Sequence, residues 1–205
     1  MQIEDDTCYI RHFVDTDKEF VSLTHYLKAW DTGFSVDDYI IDYEDIYYEG
    51  ASYHNIDPDT IDVGTYIMKK QYMRWTKQIQ QAKETAVRMM QQSVAPINRS
   101  LAEGDYILYT WVDDEEDEAY RCENEYIGMR IVEIKDDRLL VQSVFIGVHG
   151  FDSSDEIDCR EPDDIQNNSC FITADAFKAT HDYMRNFCRQ LLEEIKSQVK
   201  TTEQI

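Results

Sequence analysis

The chain has 205 residues, of which 42% are hydrophobic and 12% aromatic, and its formal net charge is −22. A chain of this length can bury one full hydrophobic core, and its aromatic content separates it from disordered acidic sequences. The low pI, about 4.4, argues against direct binding to nucleic acid or to anionic membranes, because phosphate contacts need clustered lysine and arginine. We therefore expect one folded domain over residues 1–205 that contacts neither of them directly.

The N-terminus and the cysteines indicate the compartment. The opening residues MQIEDD lack the basic and apolar regions of a secretory signal, and no apolar run reaches the roughly 18 residues of a membrane span. The five cysteines are widely spaced and form no CxxC pair, so neither a disulfide framework nor a zinc ribbon is indicated. We expect a soluble cytoplasmic protein with reduced thiols and no cofactor, or a virion component if the source is a phage.

The charge is unevenly distributed along the chain. Residues 1–60 carry 15 acidic and 3 basic side chains, residues 61–100 carry 2 and 7, residues 101–170 carry 20 and 5, and residues 171–205 carry 5 of each. Two acidic blocks therefore flank one basic segment. That segment either packs against the acidic blocks within the molecule or faces a separate partner.

The first half of the chain is predicted to be helical. Thr16 and Glu19 have the spacing of a capping box, and the helix after them would place Phe20, Leu23, Leu27 and Trp30 on one face. A second cap at Ser35 precedes residues that recur at helical spacing: Val36, Ile40, Tyr43 and Tyr47. This second stretch is also rich in isoleucine and tyrosine, which favour strands.

A long helix is predicted over residues 60–95. Its apolar residues are separated alternately by four and three positions: Met68, Tyr72, Trp75, Ile79, Ala82, Ala86 and Met89. An ordinary core helix is favoured over an intermolecular coiled coil, because the two alanines suit close packing inside one domain and the apolar series is short.

The second half is predicted to contain three strands and one helix. Residues 106–112, 126–135 and 138–148 are rich in β-branched and aromatic residues, and Asp136-Asp137 makes a tight turn between the last two. A final helix begins near Thr173 or Asp175. No internal repeat is evident in the sequence. The fold class is therefore predicted as α+β, with N-terminal helices including one long helix, a three-stranded antiparallel β-meander, and a C-terminal helix packed on the sheet. Residues 1–96 and 97–205 are the natural subdivision.

Several residue groups have the composition of metal ligands but not the spacing. The run Asp113–Glu118 lacks the glycine and the alternating oxygens of a calcium loop, and Phe20 stands where the loop begun by Asp15 would need glycine. Cys8 with His12, and His181 with Cys188, each supply two ligands without a second pair. We therefore predict no metal site.

A nuclease is the one enzymatic alternative that the sequence offers. Glu133 and Lys135 lie two residues apart on a predicted strand and so share a face. With an upstream acid such as Asp113, this triplet resembles the metal-binding signature of restriction-endonuclease-like nucleases, in which the acids hold Mg²⁺ and position a water. The resemblance covers three residues, and an exposed salt bridge is the favoured interpretation.

Surface chemistry is the remaining source of function. The segment 35–53 interleaves tyrosine with acidic residues, a composition typical of protein interfaces. The predicted partner-binding residues are Asp37, Asp38, Tyr39, Asp42, Tyr43, Glu44, Asp45, Tyr47, Tyr48, Asp113, Asp114, Glu115, Glu116, Asp117 and Glu118.

These residues favour a non-enzymatic acidic protein that binds a basic protein surface, acting as a nucleic-acid mimic that inhibits an enzyme or as an immunity protein. A structural or assembly subunit, for example of a virion, is the second function class, and homo-oligomers are compatible with it. The metal-dependent nuclease that uses Glu133 and Lys135 is the third.

Overall fold

The computed structural model describes residues 4–15, 18–30, 32–54, 64–111, 125–135, 138–147, 150–153, 157–161, 165 and 169–202. The described residues form twelve strands and two helices. The strands are β1 (Thr7–Asp15), β2 (Lys18–Trp30), β3 (Gly33–Ile41), β4 (Asp45–His54), β5 (Thr65–Ile67), β6 (Ala95–Pro96), β7 (Tyr106–Trp111), β8 (Glu125–Lys135), β9 (Arg138–Gly147), β10 (Gly150–Asp152), β11 (Ile157–Arg160) and β12 (Ser169–Phe171). The helices are α1 (Lys69–Gln91) and α2 (Ala174–Thr202).

The chain forms two compact units. The first comprises Met1–Gln81 and Asn186–Ile205, and the second comprises Ala82–Arg185. Each helix therefore begins in one unit and ends in the other. The single domain expected from the length stays a prediction. Neither described helix is long and apolar enough to cross a membrane.

In the first unit, five antiparallel strands lie in the order β5-β1-β2-β3-β4. The start of α1 covers one face of this sheet, where the ring of Tyr72 contacts the rings of His25 and Tyr39. Trp75 and Ile79 of α1 are also buried. We call this side of the sheet the α1 face.

In the second unit, the strand order is β10-β9-β8-β7-β12-β6, and β11 also pairs with β9. Gly128 of β8 lies against Met90 and Phe177, so helices cover this side. The opposite side carries a core of Ile107, Ile127, Met129, Ile131, Leu139, Val141 and Ile165.

The predicted fold class is wrong in its N-terminal half. Residues 20, 23, 27 and 30 belong to β2, and residues 36, 40 and 47 belong to β3 and β4. The six residues Val21–Tyr26 are buried without interruption, so side chains on both faces of this strand are buried. A strand buried on both faces loses the alternation that identifies strands in a sequence, and its apolar residues then match a helical period as well.

The three-stranded meander is also wrong as a description of the sheet. The strands β7, β8 and β9 are neighbours, but β12 and β6 extend the series on one side and β10 and β11 add to the other. The tight turn predicted at Asp136-Asp137 lies outside the described residues, between the paired Lys135 and Arg138.

The predictions for the two helices after residue 60 differ from the structure in smaller ways. Helix α1 begins at Lys69 and follows five strands; Met68 precedes it and is exposed, and Met90 is buried where Met89 was expected. Helix α2 is capped by Thr173, whose hydroxyl accepts a hydrogen bond from the backbone N–H of Ala176.

The two units repeat one order of elements. In each, four successive antiparallel strands are followed by a short strand that pairs with the first of them, and a long helix comes next: β1 to β5 and α1, then β7 to β12 and α2. The strands β10 and β11 together stand in the place of β4. The chain therefore contains an internal structural duplication.

The register of the duplicated hairpin is conserved to the residue. The last pair before the turn is Trp30 with Gly33 in β2–β3 and Lys135 with Arg138 in β8–β9. Each residue of the second pair therefore lies 105 positions after its counterpart in the first. The same displacement holds for the single-residue bulge, which falls at Leu27 in β2 and at Val132 in β8. It also holds for the starts of α1 and α2, at Lys69 and Ala174.

The duplication is invisible at the level of residue identity. Between positions 21–41 and 126–146, only two pairs of described residues are identical: Val36 with Val141, and Ile41 with Ile146. The shared properties are strand register, bulge position and burial, which many different apolar side chains satisfy.

Gly33 gives a test of how closely β3 approaches β4. A Cβ atom at this position would lie 2.1 Å from the carbonyl oxygen of Tyr53, which belongs to the backbone and moves little. We expect Gly33→Ala to lower the free energy of unfolding by about 1–3 kcal/mol, measured by urea denaturation. Gly50→Ala is the matched control, because its Cβ would meet nothing closer than the Tyr48 hydroxyl at 3.3 Å. Equal midpoints for the two variants would contradict this close approach of β3 and β4.

Candidate functional site

The predicted partner-binding residues of β3 and β4 are divided between two faces of the first sheet. Asp37, Tyr39 and Tyr48 lie on the α1 face, where Tyr48 donates a hydrogen bond of 2.9 Å to Asp37 and the rings of Tyr39 and Tyr48 are 4.9 Å apart. Burial, and then the bond to Asp37, raise the pKa of Tyr48 to about 12. These side chains are committed to contacts within the unit.

The residues between β3 and β4 are also used internally. Asp42 is buried, and its Oδ1 accepts hydrogen bonds from the backbone N–H groups of Glu44 and Asp45. Tyr43 donates a hydrogen bond of 2.7 Å to Glu19, which also accepts one of 2.7 Å from Lys196. Asp42 shapes the turn, and Tyr43 joins β2 to the end of α2.

The predicted array of carboxylates therefore does not form one surface. Among the predicted residues between 37 and 48, Tyr47 alone is exposed. The run Asp113–Glu118 lies outside the described residues, in the connection between the paired strands β7 and β8. Asp38 and Tyr47 remain together on the face opposite to α1. We call this the Asp38 face; its residues include Tyr9, Arg11, Ser22, Thr24, Tyr26, Phe34, Val36, Asp38, Ile40, Tyr47, Glu49, Ala51, Tyr53 and Tyr66.

The Asp38 carboxyl group is held by two hydroxyl groups of β2. Its Oδ1 accepts hydrogen bonds from Ser22 at 2.7 Å and from Thr24 at 3.1 Å, and the two hydroxyl oxygens are 2.8 Å apart. Ser22 and Thr24 are buried. Burial raises the pKa of Asp38 above its ordinary value, although both hydroxyl groups favour the ionised form. The carboxyl group is thus oriented by neighbours that cannot neutralise its charge.

A second carboxyl group lies directly across from the first. Glu49 of β4 is the strand partner of Asp38, and its charge raises the pKa of Asp38 further. Like charges directly opposite each other on neighbouring strands destabilise a sheet. Arg11 acts in the other direction on the pKa of Asp38, but its guanidinium group lies over the ring of Phe13, 5.4 Å from the centroid, and it forms no ion pair with a described carboxylate.

A series of aromatic rings crosses all five strands beside this pair. Neighbouring ring centroids are 5.0 to 5.8 Å apart along the series Tyr66, Tyr9, Tyr26, Phe34 and Tyr53. The three middle rings are buried, whereas Tyr66 is 56% exposed and Tyr53 37% exposed. Burial, followed by the charges of Glu49 and Asp38, raises the pKa of Tyr53, so its hydroxyl group senses both carboxylates.

The second unit has different side chains at the same positions. The counterparts of Ser22, Thr24 and Asp38 are Ile127, Met129 and Ser143, each displaced by 105 positions. In the aromatic series, Tyr26 corresponds to Ile131 and Phe34 to Leu139, both members of the apolar core. The duplicated fold therefore does not require hydroxyl groups, a carboxyl group or this row of aromatic rings.

Two of the three residues of the nuclease triplet form an exposed ion pair. Lys135 Nζ lies 3.2 Å from Glu133 Oε2, and the two side chains are 60% and 46% exposed. Asp113 lies outside the described residues. Among the described histidine, cysteine, aspartate and glutamate residues, no group of three or more could hold a metal ion.

One cysteine lies beside a histidine and an aspartate on the α1 face. Cys8 is the strand partner of His25, and His25 Nε2 lies 2.8 Å from Asp6 Oδ1. Burial raises the pKa of Cys8 to about 11, and nucleophilic cysteines need a lowered pKa. The Cys8 thiol is therefore a poor nucleophile. Asp6 has a structural role instead, since its ion pairs with His25 and Lys69 join β2 to the start of α1.

Four residues of the Asp38 face were missed in the sequence: Tyr9, Ser22, Thr24 and Tyr26. Glu49 and Tyr53 lie in the predicted interface segment 35–53 but were not among its predicted binding residues. Ser22, Thr24 and Tyr26 do recur with the period of two that marks one face of a strand. That signal was available, but the helical interpretation of residues 20–30 concealed it.

Comparison with known proteins found no match: no family model, no curated protein and no solved structure resembles the chain.

Glu19 gives a pH-dependent test of the contact that uses Tyr43. Hydrogen bonds from Lys196 and then Tyr43 lower the pKa of Glu19 from 4.5 to about 2. A lowered folded-state pKa stabilises the protein above the unfolded value, and this stability is lost as the pH falls from about 4.5 towards 2. We expect the urea midpoint of the wild type to fall more steeply across this window than that of Glu19→Gln. Glu84→Gln, at an exposed position of α1, should keep the steep wild-type dependence.

Proposed function

We propose that the chain is a non-enzymatic protein that binds a basic protein surface, and that the Asp38 face of the first unit is its contact site. The single observation that carries this proposal is the pair Asp38 and Glu49, two carboxyl groups on directly opposed strand positions. In the second unit, the position that corresponds to Asp38 is occupied by Ser143, which has no charge. We retain the predicted cytoplasmic location as part of the proposal.

The opposed carboxylates are unfavourable in the free protein and favourable with a cation. Burial, and then the charge of Glu49, raise the cost of ionising Asp38. A lysine or arginine of a partner, placed between them, would replace repulsion by two attractions. Residues that cost stability in the unbound state and gain an interaction in the complex are typical of functional sites.

The aromatic series supplies contact area beside the charges. Tyrosine buries a large amphipathic surface at low entropic cost, and its ring face attracts cations. Tyr47, Tyr53 and Tyr66 are exposed on this face. A partner with basic and apolar side chains could therefore contact rings and carboxylates together.

Net charge supports the same class of partner at longer range. With a formal charge of −22, the chain repels acidic proteins and attracts basic ones, and such steering raises association rates at low salt. An inhibitor that mimics a nucleic acid, or an immunity protein for a basic toxin, would both use this property.

The test is affinity for a basic protein isolated from the native host at low ionic strength. We expect Glu49→Gln and Asp38→Ser each to weaken binding about tenfold, and the wild-type affinity to fall steeply with added salt. Glu84→Gln removes one charge elsewhere and should change affinity little. Stability should move in the opposite direction: Glu49→Gln should raise the free energy of unfolding by about 0.2–1 kcal/mol. Unchanged affinity in both site variants would reject the proposal.

A further inference from the structure

We infer that the outer edge of β5 accepts an extended segment of the basic partner as an added antiparallel strand, with an arginine of that segment lying over the ring of Tyr66. This inference rests on the proposed function for the identity of the partner. The observation that carries it is the second unit of the fold, where the corresponding edge already holds such a segment of the chain itself.

Strand β5 is the last strand on one side of the first sheet. It pairs with β1 through Thr65, Tyr66 and Ile67, and no described strand pairs with its other side. The edge of a sheet presents backbone N–H and C=O groups that can pair with a strand of another chain. The ring of Tyr66 is 56% exposed. A strand edge and an open aromatic surface therefore lie together on β5.

The strand of the second unit that corresponds to β5 is β12. Tyr66 pairs with Tyr9 of β1, and Phe171 pairs with Ile107 of β7. Tyr9 and Ile107 hold corresponding places in the duplicated hairpins, so Phe171 is the counterpart of Tyr66. On its other side, Phe171 faces Ala95 of the antiparallel strand β6. The duplicated fold therefore accommodates one more antiparallel strand at this edge.

The segment that follows β6 covers the aromatic ring at the edge. Three residues after Pro96, the guanidinium group of Arg99 lies over the ring of Phe171, 4.5 Å from the centroid. Two hydrogen bonds to Asp105 hold the guanidinium group in place. Phe171 is half-buried, whereas its counterpart Tyr66 is exposed. Since arginine also stacks on tyrosine, an arginine at the same spacing in a partner segment would cover Tyr66.

The backbone direction determines which groups meet the added strand. Ile172 donates its N–H to β7, and successive residues of an antiparallel strand bond alternately to one side and the other. The backbone groups of Phe171 therefore face Ala95, and Pro96, which has no N–H, lies where none is needed. By the same correspondence, Tyr66 directs its backbone N–H and C=O towards the added strand.

The experiment uses the chain's own segment as the probe. A labelled, capped peptide of residues 93–101, SVAPINRSL, is titrated with the full-length protein at low ionic strength, and binding is followed by fluorescence anisotropy. We expect binding that a scrambled peptide of equal charge does not show. N-methylation of Ala95 in the peptide should weaken binding about tenfold, because it removes the N–H that pairs with Tyr66. Arg99→Gln in the peptide should weaken it about fivefold.

Variants of the protein locate the peptide on β5. Tyr66→Thr keeps a strand-forming residue but removes the ring, and should weaken peptide binding about fivefold. Tyr66→Phe introduces the ring that the second unit has at Phe171, and should bind the peptide as the wild type does. Tyr47→Thr is the matched control, because Tyr47 is an exposed tyrosine of the same face on β4, and it should leave binding unchanged.

The outcomes separate this inference from the proposed function. No binding of the peptide, or binding that Tyr66→Thr leaves unchanged, would overturn strand addition at β5. Weaker binding in Tyr66→Thr without any effect of N-methylation would reduce the contact to ring stacking and would also overturn it. None of these results alters the test of the proposed function, which is the affinity of Glu49→Gln and Asp38→Ser for the native basic partner.

Discussion

The register of the bulged hairpin β2–β3 determines the rest of the first unit. The bulge at Leu27 places Ser22, Thr24 and Tyr26 on one face and leaves His25 on the face that α1 covers. A slip of one residue would exchange the two faces of the strand. It would move the hydroxyl groups that hold Asp38 towards Tyr72 and place an imidazole ring among the aromatic residues of the opposite face. The proposed site therefore exists because of this one pairing.

The duplication indicates which features of the hairpin are structural. The second unit keeps the register and the bulge while Ile127, Met129 and Ile131 replace Ser22, Thr24 and Tyr26. Its core is apolar, as the burial of that face requires. The register and the bulge that the two units share therefore do not depend on the polar residues of the first unit. Buried hydroxyl and carboxyl groups cost stability unless they are paired, and Ser22, Thr24 and Asp38 meet this requirement by bonding to one another.

Prediction from the sequence succeeded for local patterns and failed for pairing. Helix α2 has a cap at Thr173 and a buried series through Phe177, Met184 and Leu191, and both signals lie within one segment. In the first half, the period-two signal of β2 is weakened, since Val21–Tyr26 is buried on both faces. Asp38 was identified as a binding residue, but its partner Glu49 was not, because their opposition depends on the β3–β4 register. The duplication was missed for the same reason: it conserves register and burial rather than residue identity.

The sequence by itself determined the strongly acidic charge, the absence of paired metal-ligand spacings and the two amphipathic helices, because each is a property of composition or of spacing within one segment. Only the tertiary structure decided that Asp37 and Tyr48 are turned towards α1 while Asp38 and Glu49 share the opposite face. Adjacent residues of a strand point to opposite sides, and which side is covered depends on packing between segments far apart in the chain. The acidic, tyrosine-rich composition of residues 35–53 was evident in the sequence, whereas its division into a structural face and a candidate binding face was not.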